Sequence, residues 1–556
     1  MNKYLTKIAQ GLEGIVEQDP PSVYEYGKRN KPDQNLGSMK QFAIYNPSGT
    51  RDTYDSQVKM AAAAVATTTK KQSTEDKLRP QQLRALKKLD KTHGLLLAHG
   101  TGTGKTMTFL AAVEQAQKRS KTGRSLIISP ASLTSNVDKE VNKHHMKIDM
   151  SRVDVMSYDE ASRNSQKLQK NKYILAIADE AQKLRNVDTQ RHTNLSGIIE
   201  GADYRVLATA TPSYNHVANI APLVNIAAGG KQILPEDKKV FDAKYISKKE
   251  EAAPFMKRIF GAPSKEVESL KNKDDLKSRL NAYVDYYNVK DDPEAESHFP
   301  TENVKTVDVD MSPQQHQLYK YMEGKLPWPI RLKVRTGMPM SKKESAQLNA
   351  FSSGVRQVSN STKAFMPKYQ DPTPKMKAAA DSVQKAMKTN KNFRGIAYSN
   401  YLTSGLDDYS TELNKRGISN AIYSGKLTKT QKDALVKDYN SGKLKMLLIS
   451  SSGGEGLDLK DTRKVQVLEP HFNKSKIDQV VGRAARYDSH INLPKKDQNV
   501  EVEHYLSVFP PGFLGKSKSK SIDQYLTDNS ETKSELVDQM NQLMDDDNKK
   551  DKKKWV

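Results

Sequence analysis

The sequence predicts an α/β protein of two tandem parallel-sheet domains, with a helical insertion between them, an N-terminal extension and a helical C-terminal tail. Three observations predict it. Apolar runs alternate with amphipathic helical stretches over 76–235, and again over 373–514. A glycine turn, Gly102-Thr103-Gly104-Lys105-Thr106, joins one apolar run to a helix-forming stretch. The interval 236–372 loses that alternation and opens on a lysine-rich stretch with helical spacing.

Each element follows in chain order. Residues 1–75 are polar and broken by Pro20-Pro21, Asn30-Lys31-Pro32 and Asn46-Pro47-Ser48-Gly49, so they read as a tether or an arm for a protein partner. In the first domain the apolar runs at 94–98, 125–129, 173–178 and 204–208 are the expected strands, and 106–118 is the expected helix after the glycine turn. Leu276, Leu280, Val284 and Tyr287 keep helical spacing, which makes 236–300 an insertion rather than a continuation of the sheet. A connector with the loop-like Leu326-Pro327-Trp328-Pro329 follows. The second domain has expected strands at 394–398, 420–423, 446–450 and 465–468. The tail, 515–556, reads as a helix over 532–544 and a mixed-charge end expected to lack structure.

Bulk properties narrow the function. No apolar run approaches the roughly 20 residues of a membrane helix, and the first residues lack the apolar segment of a secretory signal. Cysteine is absent, which excludes disulfides and cysteine-ligated zinc and fits an intracellular protein. The formal net charge of +24 favours a polyanion, above all nucleic acid, through counterion release. A solvated lysine-rich surface would give the same sum.

The chemistry concentrates in motifs of fixed order. A strand that turns through glycines into a helix aims backbone N–H groups at an anion. Gly102, Thr103 and Gly104 supply the turn, Lys105 reaches the phosphates of a nucleotide, and the Thr106 hydroxyl suits Mg²⁺. The full phosphate-loop pattern asks for glycine where this chain has His99. Asp179 and Glu180 close the apolar strand 173–178, at the carboxyl end where such sheets bind ligands. Asp179 then suits the metal and Glu180 the attacking water. Further on, Arg483 and Arg486 share a helix face, as phosphoryl transfer from ATP requires of arriving positive charge. Gln479 lies on that face and is placed to position water or sense phosphate.

These residues resemble a superfamily 2 helicase-type ATPase, with two RecA-like lobes, of the Swi/Snf-like branch. The likeness extends to Leu78-Arg79-Pro80-Gln81-Gln82, Ile127-Ile128-Ser129-Pro130-Ala131-Ser132-Leu133, Asp179 through Asn186, and Thr209-Ala210-Thr211-Pro212. Within the branch, Gly482-Arg483-Ala484-Ala485-Arg486-Tyr487-Asp488-Ser489-His490 and Ser521 through Leu526 are similar to the nucleoside triphosphatase I and early-transcription-type helicases of large DNA viruses and related phage proteins. The resemblance implies adenine contact by Gln82 and nucleotide contacts at Gly456 and Asp458. It also implies nucleic-acid contacts at Pro130, Thr209, Ser452 and Gly453. Gln182 stands where the branch more often has histidine, and Ala210 where remodellers usually have glycine. The implied function is an ATP-driven translocase on double-stranded DNA. A strand-separating DNA or RNA helicase on the same motor, and a DNA-binding or virion-structural protein with an inactive ATP site, are the alternatives.

Overall fold

The computed structural model describes residues 77–134, 136–213, 216–251, 265–363, 365–366, 371–451, 457–470, 474–512 and 519–552. The arm expected over 1–75 therefore lies outside the described residues.

In chain order the strands are β1 (Gly94–His99), β2 (Arg124–Ser129), β3 (Val153–Ser157), β4 (Tyr173–Asp179) and β5 (Tyr204–Thr209). They are followed by β6 (Ile246–Glu251), β7 (Lys265–Leu270), β8 (Val284–Tyr287) and β9 (Thr301–Asp310). The rest are β10 (Gly395–Ser399), β11 (Asn420–Tyr423), β12 (Met446–Ser450), β13 (Lys464–Val467) and β14 (Asn499–Val508). They form two six-stranded parallel sheets, ordered β3-β2-β4-β5-β1-β8 and β11-β12-β10-β13-β14-β9, and an antiparallel hairpin β6-β7.

Alternation along each strand sends neighbouring side chains to opposite faces, so each sheet has two cores. In the first lobe Leu95, Leu97, Ile127, Ile177 and Val206 meet the helices Pro80–Thr92 and Lys105–Arg119. Leu96, Leu126, Ile128 and Leu207 face the other way, toward the helix Ile220–Ala227. In the second lobe Ile396, Leu447, Ile449 and Val465 serve one face and Ala397, Met446 and Leu448 the other.

Three expectations change. The segment 236–300 holds helices Lys238–Tyr245 and Lys273–Tyr283 and the hairpin, but its last strand rejoins the first sheet, where Leu96 pairs with Val284 and His99 with Tyr287. The helical spacing of Leu276 and Leu280 thus ends where Val284 begins an edge strand. The connector likewise contributes β9, which pairs along its whole length with β14. The C-terminal helix runs Ile522–Lys552, longer at both ends than 532–544. At its start Ile522, Tyr525 and Leu526 pack among the connector helices, and further on Leu536, Met540, Leu543 and Met544 enter the first lobe's core.

Two buried ion pairs hold the second lobe. Lys375 Nζ lies 2.8 Å from Asp523, with the side-chain oxygen of Asn360 and the carbonyl of Leu468 completing its shell. Lys464 Nζ lies 2.7 Å from Glu503, which also accepts from Ser382, Gln466 and Tyr505. Burial would raise the Glu503 carboxyl, but the charge and hydrogen bond of Lys464, with bonds from Ser382 and Gln466, hold it at about 2.

Candidate nucleotide site between the lobes

The site starts at the end of β1. Gly102 and Gly104 take left-handed φ values of 74° and 83°, which glycine alone adopts without strain. They turn the chain into the helix that begins at Lys105, leaving its first N–H groups to face an anion. Lys105 Nζ folds back onto the carbonyls of His99 and Gly100, each at 2.9 Å, and Thr103 donates to Gly100 at 2.8 Å. The loop is thus shaped by its own side chains.

His99, the departure from glycine, is fully buried and bonds Asp285 of β8 at 2.7 Å. Arg84 grips the same carboxylate through two bonds of 2.8 Å. Burial alone would raise Asp285, but the bonds from Arg84 and His99 hold it well below the usual carboxylate range. Burial in turn lowers His99 and favours its neutral form. This triad fastens the edge strand to the base of the loop.

At the end of β4, Asp179 is 9% exposed and accepts the Glu180 N–H at 3.0 Å. Burial first, then the charge of Glu180, push it up to about 7 against the pull of Lys105. A buried carboxylate in that condition suits a cation. The hard oxygen donors of Asp179 and Thr106 are what Mg²⁺ takes, along with phosphate oxygens. Glu180 itself sits at φ 53°, a left-handed position rare for a residue with a side chain. A short relay fixes it: Gln182 donates to Glu180 at 2.6 Å and accepts from Thr209 at 2.7 Å, while Thr209 accepts from the Thr211 N–H at 3.0 Å.

The second lobe supplies the opposite wall. Its helix Lys474–Ala484 brings Gly482 against the loop so closely that a Cβ there would lie 2.6 Å from Thr101 Oγ1. Arg486 bonds the Gly482 carbonyl at 3.2 Å and reaches Asp458 at 3.8 Å. Burial, then the neighbouring Arg483, push Arg486 down to about 10. Burial also lowers Lys105; the carboxylates of Glu180 and Asp179 oppose that, and both arginines add to it. Arg483 Nε is buried without a hydrogen-bond partner among the described residues. Three cations that disfavour one another, one with an orphaned donor, mark a place for a polyanion. Beside them Gln479 and Thr101 line an interlobe cavity of about 820 Å³.

Stacking closes the same seam. The Arg79 guanidinium lies 3.6 Å from the centre of the Tyr487 ring, and Tyr487 stacks on His298 at 4.5 Å. His298 Nδ1 meets the Asp488 carboxylate at 2.8 Å. Arg79 and Tyr487 lie within sequence motifs that assign them no role, and His298 carries no local signal.

The remaining expected site residues are placed as follows. Gln82 is buried and braces the loop, with its amide engaged by the Arg79 N–H and the Gly104 carbonyl. Pro130 and Thr209 are both buried at the ends of their strands. Ser452, Gly453 and Gly456 lie outside the described residues, and Asp458 is placed to hold Arg486.

The fold and site together define a two-lobed nucleotide hydrolase. Family models match along the chain: the type III restriction enzyme res subunit over 75–214, the SNF2-related domain over 149–364 and the helicase conserved C-terminal domain over 377–488. The Acanthamoeba polyphaga mimivirus protein named "Putative ATP-dependent RNA helicase L538" is 30% identical over 474 residues, which cover 84% of this chain and 97% of that protein. The "Termination factor NPH-I homolog" of African swine fever virus is 24% identical, over 80% of this chain and 74% of its own. A solved Sulfolobus solfataricus SWI2/SNF2 ATPase core in complex with dsDNA aligns at 18% identity and a TM-score of 0.34, over 78% of this chain and 88% of that one. The chain belongs to the superfamily 2 helicase-type ATPases, in the SNF2-related branch that includes helicases of large DNA viruses. It is a nucleic-acid-dependent ATP hydrolase. Among the described residues no helix is long and apolar enough to cross a membrane.

Proposed function

We propose that this chain is an ATP-driven translocase on double-stranded DNA. The observation that carries the reading is the convergence of Lys105 from one lobe with Arg483 and Arg486 from the other on one partly buried site. Such a site is complete only when the lobes close, so hydrolysis and lobe movement are one event.

Lys105 and the glycine turn bind the β- and γ-phosphates of ATP, and Thr106 and Asp179 would hold Mg²⁺, which when bound would neutralise phosphate charge. Glu180, fixed by Gln182, orients the attacking water and takes its proton. The bond from the γ-phosphorus to its bridging oxygen breaks, yielding ADP and phosphate. Arg483 and Arg486 meet the charge that builds on the transferred group. Gln479 senses the same group from the cavity wall.

The SNF2-related match and the charge of +24 support duplex DNA as the track. The name of the mimivirus relative supports a second reading, an RNA-directed motor. Hydrolysis measured with duplex DNA, single-stranded DNA, RNA or no nucleic acid separates them. Duplex DNA should stimulate most, less so as salt rises, and should support triplex displacement without strand separation. Stimulation by RNA alone would overturn the proposal.

A further inference from the structure

The connector carries a surface that the nucleotide site does not use. Helices Pro313–Glu323, Trp328–Thr336, Lys342–Phe351 and Ser353–Asn360 form a block whose inner side chains, among them Leu318, Tyr319, Ile330 and Val334, pack with Phe509, Ile522 and Tyr525. Its outer corner is built differently. Tyr321 is 65% exposed and Trp328 63% exposed, two large rings standing in water. Leu326-Pro327-Trp328-Pro329, expected to be loop, instead starts a helix with Pro327 as its cap residue and Pro329 in its first turn. Prolines at these positions fix the backbone before anything binds, so Trp328 is presented at little entropic loss.

Cations alternate with the rings. Lys325 Nζ lies 4.9 Å from the centre of the Tyr321 ring. Arg331 Nη1 lies 3.9 Å from where a Cβ on Gly324 would be, over the turn between the two aromatic residues. Arg331 is three residues from Trp328, hence its neighbour on the helix surface. The block is also strongly positive: residues 313–366 contain nine lysines and arginines and two carboxylates. Both carboxylates are engaged within the block, Glu323 by Arg335 at 2.5 Å and Glu344 by Lys333 at 2.8 Å. Neither neutralises the ringed corner.

Flat rings interleaved with cations match an unpaired polynucleotide, whose bases stack on aromatic faces while its phosphates meet lysine and arginine. A duplex keeps its base faces stacked inside, so exposed rings gain nothing from it. We propose that Tyr321, Lys325, Trp328 and Arg331 form a second nucleic-acid site, for a single strand, outside the residues that build the nucleotide site.

The chain has two tryptophans, Trp328 and Trp555, so the full-length Trp555→Phe protein reports on Trp328 alone. Its emission is followed during titration with oligothymidylate, oligouridylate and a duplex of equal length at low salt. The single strands should quench it and the duplex should not. Quenching by one strand alone assigns the site to DNA or to RNA, and quenching by both assigns it to their shared chemistry. Tyr321→Ala with Trp328→Ala, and separately Lys325→Glu with Arg331→Glu, should weaken binding of a labelled single strand by about tenfold or more, measured by anisotropy. All four side chains lie at the surface, so circular dichroism should match the parent. Duplex-stimulated hydrolysis should persist in these variants, so the failure of this site and the failure of the translocase reading are seen separately. Emission unmoved at saturating strand, quenching by duplex alone, or parent affinity in both double variants would overturn the site and leave the corner to a protein partner.

Discussion

Asp179 of the first lobe and Glu503 of the second are both buried carboxylates on parallel sheets, yet their surroundings push them in opposite directions. Glu503 is surrounded by Lys464, Ser382, Gln466 and Tyr505 and is held at about 2. Asp179 accepts the Glu180 N–H, makes no ion pair among the described residues and rises to about 7. The charge of Glu503 is satisfied by its own fold. That of Asp179 is left for something that arrives. Within the second lobe the contrast recurs between Lys375, enclosed by Asp523, Asn360 and Leu468, and Arg483, whose Nε has no hydrogen-bond partner among the described residues.

The largest test of the contrast is Glu180→Gln beside Lys105→Ala. Loss of the water-orienting carboxylate should cut turnover by about 10²–10⁴ while ATP still binds, whereas loss of Lys105 should remove hydrolysis and weaken binding too. Parent turnover in Glu180→Gln, measured by phosphate release, would take the first lobe's carboxylates out of the chemistry. Next in size, Arg486→Ala should lower turnover by about 10³ with little change in nucleic-acid affinity, since its partner is the bound nucleotide. Unchanged rates would mean that the second lobe does not complete the site.

On the satisfied side, Lys375→Met should destabilise the fold by about 3–5 kcal/mol because Asp523 is stranded, and Lys375→Met with Asp523→Leu should recover most of that. Urea denaturation of both variants checks it. The smallest effects are in the pH profile, and they have opposite signs. Glu503, depressed on folding, contributes stability above its unfolded pKa, and that contribution is lost as pH falls from about 4.5 to about 2. Asp179, raised on folding, destabilises the protein increasingly from about pH 4 to about 7. Asp179→Asn should therefore raise the nucleotide-free melting temperature at pH 7.5 by roughly 2 °C while abolishing Mg²⁺-dependent hydrolysis. A fall instead would show that Asp179 is structural, like Glu503.

Much of the nucleotide site was legible because its determinants are local. A glycine turn after a buried strand, a carboxylate pair at a strand's end and two arginines three residues apart are written within a few residues each, although the helix expected to carry both arginines ends at Ala484 and Arg486 lies just past it. What was not legible depends on distant partners. His99 reads as a lapse from a glycine pattern until Asp285, 186 residues later, appears beside it. The four residues of β8 look like the end of a helix face, because spacing in Leu276, Leu280 and Val284 says nothing of the edge of β1 waiting for them. Thr209 at the end of a strand could have faced outward, and only the position of Gln182 turns it inward.

The C-terminal helix adds a mechanical consequence. It is gripped unequally: Asp523 is locked to Lys375 at one end, while Leu536, Met540, Leu543 and Met544 lie in apolar contact at the other, with Ser530, Val537, Asp538 and Asn541 along the interlobe cavity. Apolar surfaces can slide past one another with modest loss, but a buried ion pair cannot part without stranding two charges. Under load the first-lobe end therefore yields first. The helix is a guy-line with one fixed anchor and one held by softer contacts.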